Sequence, residues 1–167
     1  MGIVVNTNKN TSVYQLTELM DDLFSSHPNV ATVLFGDMYD LDTSKQSVYP
    51  LVQVNITNSQ IFDKSVSHNV KVWYVDRKVF TYNTTQGEDQ NYAPGYTRAN
   101  NLIDIWNTGF NVMIDVVSYV KKRKELYDIP YTNLTPFERR FDNALAGYEM
   151  DMTVTIFNDT NACIVSE

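Results

Sequence analysis

From Val13 to Phe24 the apolar residues fall at three- and four-residue steps: Val13, Leu16, Leu19, Met20, Leu23 and Phe24. That spacing gathers them on one stripe of a helix. Ser12 stands three residues before Gln15, a capping-box arrangement in which each side chain satisfies the other's free backbone N–H. His27-Pro28 ends the helix, because proline pushes the residue before it out of helical geometry. The segment ahead of it, residues 1–11, is polar after a short apolar start and reads as a mobile arm.

The pattern then changes period. Val30 to Phe35 is a short β-branched run that predicts a strand, followed by a polar loop holding Asp37, Asp40 and Asp42. In the next extended segment, Val48 to Thr57, Val52, Val54 and Ile56 alternate with Gln53, Asn55 and Thr57, so one sheet face is expected dry and the other wet. A third segment, Asn69 to Asp76, sets Val70, Val72 and Tyr74 against Lys71, Trp73 and Val75. Its second side is too apolar for open solvent, which points to a covered face.

After a polar loop from Thr84 to Gly95, the three- and four-residue steps return from Thr97 to Lys122. Leu102, Ile103, Trp106, Phe110, Met113, Ile114, Val117 and Val120 form the expected buried stripe, with Asp104, Asn107, Asn111 and Asp115 facing away. Gly109 costs this helix about 1 kcal/mol relative to alanine, and close packing against a sheet would be a reason to keep it. Lys121-Lys122-Arg123-Lys124 closes the helix and complements the negative end of its dipole, with a phosphate contact as the alternative. Pro130 and Pro136 mark a loop, Phe137 to Phe141 is read as extended, and Asp142-Asn143 as a turn. Finally Tyr148, Met150, Met152, Val154 and Ile156 alternate with Glu149, Asp151, Thr153 and Thr155, a strand. The order predicts an α+β domain: a mixed, mainly antiparallel sheet flanked by a short N-terminal helix and one long amphipathic helix. The expected division is an arm over 1–11, one domain over 12–163 and a tail over 164–167.

Composition narrows the function. The chain has 167 residues, one domain's worth, and 13 basic against 20 acidic residues give a net charge of −7. That balance argues against gripping nucleic-acid phosphates by charge. No stretch reaches the roughly 18 apolar residues of a membrane span, and no basic leader is visible at the start, so neither membrane association nor secretion is expected. A single cysteine, Cys163, leaves no internal disulfide or multi-cysteine zinc site.

Catalytic chemistry is thin in the pattern. The six glycines form neither a P-loop nor a dinucleotide fingerprint, and His27 and His68 sit beside no recognised nucleophile elbow. Asp37, Asp40 and Asp42, with His68, are the candidates for a metal or hydrolytic site, but they lack the glycine and distal glutamate of an EF-hand. A solvated loop is the simpler reading, and no enzyme activity, metal or cofactor is expected. Eleven tyrosines, eight phenylalanines and two tryptophans are a generous aromatic supply. Tyr92 and Tyr96, in a loop with Glu88 and Asp89, and Tyr127 and Tyr131, beyond the long helix, fall in expected loops. They are the candidate assembly-interface residues, since tyrosine packs its ring while its hydroxyl stays hydrogen-bonded. The other reading folds them back over their own domain.

Four short motifs occur in order: Tyr49-Pro50-Leu51 at a strand entry, Trp73-Tyr74-Val75-Asp76, Leu102-Ile103-Asp104-Ile105-Trp106 in the long helix, and Leu145-Ala146-Gly147-Tyr148 at the last strand. As a set, over roughly residues 12–163, they resemble the tail-terminator and neck-protein family of tailed bacteriophages, especially the versions in phages of Bacteroidetes. The resemblance implies a structural virion protein, made in the host cytoplasm and built into the neck or tail. It implies a homo-oligomeric ring, hexamer or dodecamer, between portal and tail, with other neck, portal-adaptor or tail proteins as partners. DNA would pass through the lumen without sequence-specific binding. The family brings no catalytic residues. A soluble protein–protein adaptor is the alternative, and a small metal-dependent hydrolase a further one.

Overall fold

The computed structural model describes residues 12–37, 48–63, 65–78, 101–122, 127–140 and 145–157. The chain order is helix α1 (Ser12–Ser25), strands β1 (Thr32–Phe35), β2 (Leu51–Phe62) and β3 (Ser65–Arg77), helix α2 (Leu102–Lys122), and strands β4 (Tyr127–Arg140) and β5 (Leu145–Phe157). The strands form one five-stranded sheet in the order β1-β2-β3-β5-β4. β1 runs parallel to β2, and every other pair is antiparallel. This is the expected α+β architecture. α1 packs at the β1 side, and α2 lies over β3, β5 and β4.

Alternation dictates the main core. Strand residues directly opposite each other share a face, so Val52, Tyr74 and Tyr148 form one row, and Val54, Val72 and Met150 the next. Apart from Tyr148, these rows meet Leu16, Met20 and Phe24 of α1 and Ile105, Val112, Met113, Val116 and Val120 of α2 in one cluster. The Tyr49–Pro50 peptide is cis. The Pro50 carbonyl accepts hydrogen bonds from the N–H groups of Ala31 and Thr32, at 2.8 and 3.3 Å, which ties the start of β1 to the start of β2.

Several expectations need correction. The buried side of α2 is Ile105, Gly109, Val112, Met113, Val116 and Val120. Ile103, Phe110 and Ile114, expected in the core, are 59, 41 and 39% exposed. α2 is apolar around more than half its circumference, so periodicity alone could not choose the seated face. The choice follows from Gly109: a Cβ there would lie 2.6 Å from Cδ1 of Tyr74, so the helix comes down onto the sheet where it has no side chain.

β4 is a strand through Pro130 and Pro136, where a loop was expected. It is an edge strand, where a residue without an N–H is tolerated, and its pairing with β5 shifts register between Asp128 and Tyr131, around Pro130. Tyr127 and Tyr131 therefore stand in a strand. β2 continues five residues past its expected end, and Gln53, expected wet, is 1% exposed. The expected arm, the loops holding Asp40, Asp42 and Thr84–Gly95, the Asp142-Asn143 turn and Cys163 lie outside the described residues.

Candidate assembly surfaces

The face of the sheet opposite the helices is dry at one end. Leu51, Trp73, Val75 and Leu145 are buried there with Leu34, Tyr49 and Phe137 packed against them. This second, smaller core is the covered face foreshadowed by Trp73 and Val75, and it is why Gln53 is buried. Its amide donates to the Asp37 carbonyl. Arg77 caps the cluster, its guanidinium 5.0 Å from the ring centre of Tyr49.

Next to it the same face turns polar. Lys71 Nζ lies 2.7 Å from Glu149 and 3.3 Å from Asp151, and Trp73 Nε1 donates to Glu149 at 3.0 Å. The hydrogen bond to Glu149 holds the Lys71 ammonium above its ordinary pKa, against a smaller opposing effect of burial. Asn69 and Ser67 then pair with Thr153 and Thr155 across the strands, at 3.0 and 2.7 Å. Each polar group has a partner supplied by the register, as a sheet face open to water allows. Lys78, just past β3, is nearly buried and ion-paired with Glu138 of β4.

Beyond the helices the β2–β3 hairpin projects into solvent. β1 pairs only with Leu51–Val54, so among the described residues the rest of β2 has a neighbour on one side alone. Asn58 to Phe62 are all exposed, Ile61 at 85% and Phe62 at 54%. Phe62 shares a row with Ser65 and Phe157, which is also exposed. Leu51–Phe62 contains no charged residue and no proline. Edge strands are usually protected by both, and an uncharged edge that ends in two exposed apolar side chains is a candidate surface for pairing.

On the helix side of the same hairpin, His68 is 1% exposed and Ser59 Oγ lies 2.7 Å from its Nδ1. Its Nε2 is buried without a partner among the described residues, and burial pulls its pKa below the ordinary histidine value. Asp37 meets β2 at Gln53 and His68 meets it at Ser59, six residues on, about 20 Å along a strand. The two are not brought together, which removes His68 from the candidate metal or hydrolytic set. Among the described residues no three His, Cys, Asp or Glu side chains gather as metal ligands. No helix is long and apolar enough to cross a membrane.

Of the candidate interface residues, Glu88, Asp89, Tyr92 and Tyr96 lie outside the described residues. Tyr127 and Tyr131 sit on opposite faces of edge strand β4. Tyr127 packs against the main core, as a domain folding over its own tyrosine would have it, whereas Tyr131 is 55% exposed. The surfaces missed from sequence are Ile61 and Phe62 of the hairpin and the outward flank of α2. The available signal was the absence of charge in β2 and the apolar width of α2.

An α+β domain whose two sheet edges are free among the described residues, with unlike apolar patches beside them, is the class this geometry defines. No protein-family model matches the chain, and no curated protein matches it significantly in sequence.

Proposed function

We propose that the chain is a structural subunit of a bacteriophage neck, a tail-terminator-like piece repeated six or twelve times in a closed ring that joins portal and tail. Its work is geometric, with no turnover and no cofactor. The observation that carries this reading is the placement of the exposed apolar residues. Among them are two unlike patches at opposite edges of one sheet. Ile61 and Phe62 lie on the β2 side, and Ile103, Phe110 and Ile114 lie on the helix over β5 and β4. A head-to-tail ring needs two different adhesive surfaces on each subunit.

The net charge of −7 supports the same reading, because a channel through which DNA slides must not hold phosphates. The α+β architecture is the one the family resemblance implies. The remaining partners would be neighbouring neck, portal-adaptor or tail rings.

Mass photometry and negative-stain electron microscopy of the purified chain test the proposal. Closed particles of six or twelve copies around an open centre are the expected result. A chain that stays monomeric up to the highest soluble concentration overturns it and returns the adaptor reading.

A further inference from the structure

Ile103, Phe110, Ile114 and Lys121 fall on α2 at spacings of seven, four and seven residues, one line along a helix of 3.6 residues per turn. Asp115 and Tyr119 occupy the other flank and meet Leu23, Ser26 and His27 of α1 in the seam between the helices, where His27 Nε2 lies 3.4 Å from Asp115. The line of Ile103, Phe110 and Ile114 therefore looks away from α1, towards the β4 edge, as the contact of Phe110 with Tyr148 requires (ring centres 5.9 Å apart). It is an apolar flank ending in a lysine, with no helix beside it among the described residues.

α1 carries a matching line on its side away from α2. Val13 and Tyr14 are 46 and 65% exposed, and Asp21 lies two turns further on. α1 has three acidic residues, Glu18, Asp21 and Asp22, and no basic one, whereas α2 ends in Lys121 and Lys122. Neither Asp21 nor Lys121 has an ion-pair partner among the described residues. Tyr14 to Asp21 and Ile114 to Lys121 are each seven residues, a rise of about 10.5 Å. A parallel pair that sets Tyr14 on Ile114 thus brings Asp21 to Lys121.

We infer that the outward flank of α2 receives α1 of a second copy of this chain, so that the helix layer continues α1-α2-α1-α2 from subunit to subunit. The occupant is a second copy because Tyr14 and Asp21 of α1 match Ile114 and Lys121 of α2 in spacing and in complementary charge, and because the two lines sit at opposite sides of the helix layer. An interface of this kind is heterologous. The inference rests on the proposed ring and names the helix surfaces that meet between its subunits.

Charge reversal on the full chain tests it by mass photometry over a concentration series. Asp21→Lys and Lys121→Asp are each expected to raise the concentration needed for assembly about tenfold or more at low salt, with a smaller effect at high salt. The double variant, which restores the pair with its signs exchanged, is expected to assemble like the parent. Ile114→Arg, at the position set on Tyr14, is expected to weaken assembly at any salt. Unchanged thermal unfolding of the variants shows that the folded subunit is intact, as exposed positions permit. Rings that form equally well in all variants overturn this interface and leave the ring standing. Single-variant losses that the double variant does not repair overturn the Asp21–Lys121 pairing. A parent chain that is monomeric overturns both the interface and the ring.

Discussion

Gly109→Ala separates two physical effects of opposite sign. In an isolated helix the change gains about 1 kcal/mol, because alanine loses less backbone freedom than glycine. In this chain the new Cβ would lie 2.6 Å from Cδ1 and 3.1 Å from Cε1 of Tyr74, which is fully buried between α2 and the sheet. Either the ring or the helix must move, and overpacking of this kind costs about 1–3 kcal/mol. The net expectation is a loss of about 1 kcal/mol, or a fall of about 2–4 °C in the unfolding midpoint for a domain of this size. Urea unfolding of six proteins, the parent, Tyr74→Phe and Tyr74→Leu, each with and without Gly109→Ala, isolates the cause. The phenylalanine ring keeps the obstruction, so the loss persists. Leucine removes the ring, and the alanine then recovers most of its helical gain. Tyr74→Phe by itself is expected to be nearly neutral or stabilising, since the tyrosine hydroxyl is buried without a partner among the described residues. A stabilising Gly109→Ala in the parent, additive in both backgrounds, would refute the argument that this glycine seats α2.

Gly147→Ala is the harsher test of close approach, because its Cβ would strike the backbone carbonyl of Tyr74 in the central strand, which cannot step aside; a larger loss than Gly109→Ala is expected by the same urea titration. Glu149→Ala leaves the Trp73 N–H without its acceptor and Lys71 with only Asp151, and a loss of about 1–3 kcal/mol is expected in chemical unfolding. His68 gives a pH dependence. Burial lowers its folded pKa, so the unfolded chain takes up the proton first and stability falls as pH drops through about 6.5, by at most about 1.4 kcal/mol per pH unit. Thermal midpoints at pH 7.5 and 5.5 should differ less in His68→Gln than in the parent, and an equal difference would show that His68 does not carry the effect.

The fold was legible where one side of an element was apolar and the other polar. Tyr148 to Ile156 alternates without a break, and its strand was found with both faces correctly assigned. α1 is a narrow stripe ended by His27-Pro28, and its last residue is Ser25. Legibility failed where apolar residues were too many or breakers misled. α2 offered two possible faces, and only the ring of Tyr74, a residue in another element, decides between them. Pro130 and Pro136 signal loops in most settings, and their place in β4 depends on that strand being last in the sheet, a property of topology rather than of local sequence. The candidate surface was legible only in kind. Surplus aromatics pointed to interfaces, and Tyr131 is exposed, but Tyr127 packs against the core, while Ile61 and Phe62, which alternate like ordinary strand residues, are exposed as well.

The two faces of the sheet explain why the proposed adhesive surfaces lie at its edges. The helix face is filled by α1 and α2, and the opposite face is closed partly by Leu51, Trp73, Val75 and Leu145 and partly by paired polar groups from Lys71 to Thr155. Neither face needs a partner. The distal half of β2 does: among the described residues its backbone is unpaired on one side, it carries no charge, and Ile61 and Phe62 are exposed. An isolated subunit would be prone to pair through such an edge with whatever extended strand it met. A closed ring removes that hazard by burying each subunit's edge against the next, whereas an open chain of subunits would leave one edge bare at its end and keep growing. On the proposed reading, closure is therefore what keeps this sequence soluble as well as what gives it its task. Substituting lysine at Ile61 separates the two roles: if closure depends on the hairpin, the variant subunit should remain folded and soluble but fail to form rings.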